Sequence, residues 1–248
     1  MNKRGKKAQA TLFIIIAIIV VALVLLVIYF TGGFKTQFSQ AEIGQVKSYL
    51  EDCFKLKTQE GILVIARQGG YNTLPEASIN FLNEKAPYYW KDNQTLVPSL
   101  ATVESELAAW LDANARECLS MPGYALTADK CSSKVEIKET TKVLFDCPVT
   151  VQKNMASTQL KDFIIEVDAP IAKLLDVSAQ VVEDYKRNPG SINLDSLENI
   201  TEKNQVSINA ITVVDIEPLP DIIWFIIQDN NKSLIGENNL TWGFVVEY

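Results

Sequence analysis

Nineteen consecutive residues, Leu12 to Phe30, contain no charge, proline or glycine, and Lys3, Arg4, Lys6 and Lys7 precede them. As a helix rising 1.5 Å per residue such a run is about 28 Å long, close to the roughly 30 Å hydrocarbon core of a bilayer. In lipid a backbone must satisfy its own hydrogen bonds, so the run must be helical there. The pattern predicts a basic cytoplasmic flank over residues 1–8 and a transmembrane helix, a signal-anchor, over 9–31. A cleaved secretory signal is the rival reading. Its apolar region is usually about 7–15 residues, and Thr31-Gly32-Gly33 offers small residues to a peptidase. A buried core helix fits less well, and the lack of a polar face excludes a helix lying along the interface.

The basic flank orients a single-pass chain with its N-terminus in the cytoplasm. All 30 acidic residues follow residue 31, so the rest of the chain carries a net charge of −11. The expected location is the cell membrane, with the bulk of the chain extracytoplasmic. Membrane lipid is the first expected partner, then a membrane or surface protein or another copy. The strong negative charge and the absence of a basic stripe make nucleic acid a poor partner. A sugar, peptide or cell-wall component fits better.

The four cysteines, Cys53, Cys118, Cys131 and Cys147, are even in number and widely spaced. They allow three pairings, or four reduced and buried thiols. The order of elements favours Cys53 with Cys118, joining two helices, and Cys131 with Cys147 at the start of the strand region. Asn93, Asn199, Asn231 and Asn239 each begin an N-glycosylation acceptor pattern, which predicts an extracellular glycoprotein. The chain has no histidine. That excludes a Ser-His triad, a Cys-His pair and any His-based metal site, and the cysteine spacing matches neither a zinc ribbon nor a CxxC redox pair. No metal, cofactor or catalytic residue is expected.

The fold class predicted is α+β: the anchor, then a mainly helical segment with a small hairpin over 34–123, then a strand-rich α+β segment over 124–248. Gly32-Gly33 ends the anchor. Ile43, Val46, Leu50 and Cys53 recur at helical spacing toward Arg67, Gly61 permits a bend or close contact, and Gly69-Gly70 stops the helix. Pro87 to Trp90 and Thr95 to Val97 flank a polar turn and read as a hairpin. Ser99 starts a second helix carrying Val103, Leu107, Trp110 and Leu111, with Glu104 and Glu106 favouring its first turns. Strands are expected over 135–137, 142–151 and 162–167, with Pro148 marking an edge or bulge. Asp168 is expected to cap a helix carrying Ile171 to Tyr185. Three closing antiparallel strands are read at 206–214, 222–227 and 241–246, with a polar stretch over 190–204.

Candidates for chemistry are few. Glu166 and Asp168 are spaced to share one face of a strand, as a metal or a shared proton would need, though a solvated face is the commoner use of such a pair. Residues 229–240 fail the EF-hand pattern, with Leu234 where glycine is needed and Leu240 where glutamate is needed. Tyr88, Tyr89 and Trp90 form a possible binding surface for sugar or peptide, or the core of the hairpin.

Lys7-Ala-Gln-Ala-Thr-Leu-Phe13 resembles the processing region of archaeal type IV pilin-like proteins. The resemblance implies cleavage between Ala8 and Gln9, with Thr11 two positions on; Phe13 stands where that family usually has Glu. It also implies that the apolar helix packs against those of like subunits. The order of the anchor, a Cys-bearing helix, Gln68-Gly-Gly-Tyr71, Pro87-Tyr-Tyr-Trp90, Val97-Pro-Ser99 and Glu117-Cys-Leu119 is similar to uncharacterised single-pass membrane proteins of small-genome archaea, for which no activity carries over. The expected function is a membrane-anchored surface protein with a structural or binding role. A pilin-like filament subunit is the first alternative and a membrane-anchored hydrolase the second.

Overall fold

The computed structural model describes residues 4–30, 38–81, 84–214, 221–230, 234–235 and 238–248. The helices are α1 (Arg4–Phe30), α2 (Gln40–Arg67), α3 (Leu100–Asn114), α4 (Ile171–Tyr185) and α5 (Leu194–Asn204), and a 3-10 turn, Ala115–Cys118, extends α3. In chain order the strands are β1 (Ser78–Phe81), β2 (Glu84–Lys91), β3 (Gln94–Thr95), β4 (Ser120–Met121), β5 (Tyr124–Thr127), β6 (Ser132–Ile137), β7 (Thr141–Asp146) and β8 (Val149–Lys153). There follow β9 (Ala156–Leu160), β10 (Phe163–Val167), β11 (Val206–Val213), β12 (Ile222–Asp229), β13 (Leu234–Ile235), β14 (Asn238–Asn239) and β15 (Thr241–Glu247). The class is α+β.

One part of the expected architecture is corrected. Among the described residues no helix is long and apolar enough to cross a membrane. The helix α1 is present, but it opens on Arg4, Lys6 and Lys7 rather than on the apolar run. Gly32 and Gly33 lie outside the described residues.

Helix α2 begins with a capping box. Ser39 Oγ accepts from Glu42 N–H at 3.2 Å, and Glu42 Oε2 accepts from Ser39 N–H at 3.0 Å. It buries Val46, Leu50, Phe54, Ile62 and Ile65 against α3, β10 and β15. Phe54 stacks on Phe145 at 4.5 Å between centroids and tilts against Phe163 at 5.1 Å, so α2 reaches the sheet β10-β7-β6 through aromatic contacts. Gly61 is the close approach that the sequence allowed. A Cβ there would stand 2.7 Å from Trp110 Cε3 on α3.

The largest sheet, β1-β2-β15-β12-β11 with β3 beside β2, takes its strands from both sides of residue 123. Its closing strands β11, β12 and β15 are antiparallel, as expected, while β15 pairs with β2 in parallel across a register shift at Val245/Val246. Gly69 and Gly70, at φ +55° and +87°, end α2 on this sheet. A Cβ on Gly243 would lie 2.9 Å from Arg67 O, so its bare backbone lets the end of α2 settle on β15.

Several local readings change. The stretch 142–151 is two strands, because Cys147-Pro148 breaks the ladder. β7 stays with β6 and β10, and β8 joins β4-β5-β8-β9. Asp168 does not cap α4. Pro170 occupies the cap with no side-chain bond. The polar stretch 190–204 contains α5, capped by Asn193, whose side chain accepts from Ser196 N–H at 3.1 Å.

Both disulfides are formed, Cys53–Cys118 between α2 and the turn after α3, and Cys131–Cys147 beside β6 and β7. The second follows from register. Ser132 faces Asp146, which sets residue 131 against 147 at the next step of the ladder.

Candidate functional site

The hairpin β2-β3 turns at Asp92-Asn93, both at positive φ (49° and 58°), and this tip overhangs a cleft. Asp and Asn tolerate the left-handed region better than other side chains with a Cβ, so the polar tip is a condition of the tight turn. The cleft, about 500 Å³, is lined by Trp90, Asp92, Asn93, Pro189, Gly190, Glu247 and Tyr248. Three segments distant in sequence build it: the hairpin, the loop between α4 and α5, and the end of β15.

Hydrogen bonds lock these segments together. Asp92 N–H donates to Glu247 Oε2 at 2.9 Å. The Tyr185 hydroxyl, at the end of α4, donates to Glu247 O at 2.7 Å and accepts from Gly190 N–H at 2.9 Å. Burial pushes the Tyr185 phenol above its ordinary pKa, which keeps it the protonated donor that this bridge requires. Burial also raises Tyr88, with the Glu247 charge adding to the effect. Lys186 Nζ stands 5.9 Å from the Trp90 ring centroid, at the outer limit of a cation–π contact, and 2.7 Å from Glu183. The cleft thus has an indole and a tyrosine ring in its lining beside a carboxamide and two carboxylates. Such a lining stacks a flat or weakly polar face and accepts hydrogen bonds from hydroxyl or amine groups.

The three aromatics read as a surface are placed differently from one another. Tyr88 lies in a small cluster on one face of the main sheet, with Ile79, Val213, Ile222 and Val245. Tyr89 is fully buried in the main core, stacked on Phe244 at 4.5 Å. Trp90 is 8% exposed and reaches the cleft. Asn93 is exposed at the hairpin tip, Asn199 on α5 and Asn239 on β14, while Asn231 lies outside the described residues. Ala8 and Gln9 fall within α1, with their side chains outside the described residues. Glu166 is exposed on β10 and accepts from the Thr140 hydroxyl at 2.7 Å, and Asp168 is exposed just beyond the strand. Asp229, the first residue of the segment that fails the EF-hand pattern, is buried at the end of β12 and paired with Lys173 Nζ at 2.6 Å. Among the described residues no group of three or more His, Cys, Asp or Glu side chains is placed to hold a metal ion.

Asp92, Glu247, Gly190 and Tyr248 were not singled out from the sequence. The Asp92–Glu247 contact spans 155 residues, and the only local sign of it was the polar hairpin turn. Comparison with protein-family models, curated proteins and solved structures finds no match to this chain.

Proposed function

We propose that this chain is a structural or binding protein of an extracytoplasmic compartment, and that its cleft holds a neutral, hydroxyl-rich ligand such as a glycan unit. The observation that carries the reading is the convergence of Trp90, Asp92, Asn93 and Glu247 on one rigid mouth. Supporting it, all four cysteines are consumed in disulfides, the usage of a protein in an oxidising environment. The test is titration of the full chain with a panel of oligosaccharides, followed by tryptophan fluorescence. A glycan attached to Asn93 would occupy the same mouth, so the protein is made without glycosylation. Binding that Asp92→Ala or Asn93→Ala weakens about tenfold supports the proposal; no saturable signal across the panel rejects it.

A second reading, a pilin-like filament subunit, is favoured by one observation. Helix α1 presents Ile15, Ile18, Val21 and Leu25 among a continuous set of exposed apolar side chains, surface that water disfavours and like helices would cover. Mass spectrometry finding Gln9 as the first residue, with filaments in electron micrographs, supports it. An intact leader on a dispersed protein counts against it.

A further inference from the structure

Sheet edges are sites of unwanted pairing, and proteins blunt them by keeping edge strands short or by placing charges on them. Most edges here follow that rule. β1 has four residues, β4 two and β9 five; β10 carries Glu166, and β6 carries Lys134 and Glu136. β11 does not. It is the outer strand of the largest sheet, runs eight residues, and reads Val206-Ser-Ile-Asn-Ala-Ile-Thr-Val213 with no charge, proline or glycine. Among the described residues no strand pairs with its outer side. Asn209, Ala210, Ile211 and Thr212 are exposed in succession, so both faces of the strand are open there, and Ile211 is 50% exposed.

The chemistry of the edge selects its occupant. The chain carries a net charge of −7, so two copies repel over most of their surfaces. β11 is eight neutral residues that can lie against their own image with no like charges opposed. Antiparallel pairing about a twofold axis is self-complementary, sets β-branched and hydroxyl side chains across from one another, and fills the open ladder over about 27 Å. We propose that β11 is an assembly edge, at which two copies of this chain join β11 to β11 and continue the sheet from one protomer into the next. The proposal uses no residue of the cleft and is independent of α1.

Site-directed cross-linking of the full chain tests it. Because the native cysteines are all paired, one new cysteine per variant reports cleanly. Asn209→Cys, Ala210→Cys and Ile211→Cys are oxidised mildly beside Ser157→Cys, an exposed control on β9. The expected result is a covalent dimer from at least one β11 position, several-fold above the control. Adding Ile211→Lys to the strongest cross-linking variant at 209 or 210 places a cation near its own image and lowers the yield about tenfold, with the circular dichroism unchanged. Hydrogen exchange of the β11 amides slows as protein concentration rises. Cross-linking no better than the control, or yield indifferent to the lysine, overturns the proposal. Amides that exchange fast at every concentration also overturn it and leave the edge to a strand from a different protein.

Discussion

The Tyr89 hydroxyl is the polar centre of an otherwise apolar region. It donates to Gly69 O at 2.8 Å and accepts from Trp242 Nε1–H at 3.0 Å, tying the end of α2 to β2 and β15. Burial raises its pKa well above the ordinary value, so it stays a donor throughout the working range. Tyr89→Phe leaves a buried carbonyl and a buried indole N–H unpaired, and should cost about 1–3 kcal/mol in the unfolding free energy measured by denaturant titration. Glu42 gives a pH signature. Lys153, bonded at 2.9 Å, and the Ser39 cap lower its pKa from 4.5 to about 2. A depressed carboxylate pKa contributes stability above the unfolded value that is lost as pH falls through the folded one. Thermal midpoints of the wild type should therefore fall between pH 4.5 and 2 more steeply than those of Glu42→Gln. Tyr89 could be read from sequence only as one of three neighbouring aromatics, because its partners lie 20 and 153 residues away. Glu42 sits three residues after Ser39, a capping-box spacing that the sequence carries but that was not singled out there.

At the scale of elements, two glycines of α2 and β15 have opposite tasks. Gly243→Ala drives a methyl toward Arg67 O at 2.9 Å, and should destabilise the protein by about 1–3 kcal/mol as α2 is forced off the sheet. Gly44 lies within α2, and a Cβ added there would meet nothing within 4 Å, so Gly44→Ala should stabilise by about 0.5–1 kcal/mol. Paired denaturation curves with shifts of the same sign would refute this account. The course of α2, α3 and α4 was legible because each carries an apolar stripe at helical spacing that the core then buries. Helix α5 was not, since it buries only Ile200 and otherwise reads as polar loop. The break at Cys147-Pro148 was half legible. Proline announced an interruption, but only the pairing of β8 with β5 and β9 shows that the chain changes sheets there.

For the whole molecule, the two disulfides differ in what they restrain. Cys53–Cys118 closes a loop of 65 residues and Cys131–Cys147 one of 16. On a chain-entropy basis the first contributes about 4 kcal/mol and the second about 3. Replacing Cys53 and Cys118 together by serine should lower the unfolding midpoint more than replacing Cys131 and Cys147; the reverse order would place the restraint in local geometry. The α+β class and the pairing order of the cysteines could be read along the chain. The union of β2 with β15 could not, because no periodicity records which distant strands become neighbours. That union also sets a clock. A ribosome adding about 5–20 residues per second takes roughly 10–30 s to travel the 155 residues from Asp92 to Glu247. Throughout that interval β2 has its hairpin partners but lacks the neighbour that completes its side of the sheet. A newly made chain therefore waits, exposed to proteases and chaperones, until β15 arrives.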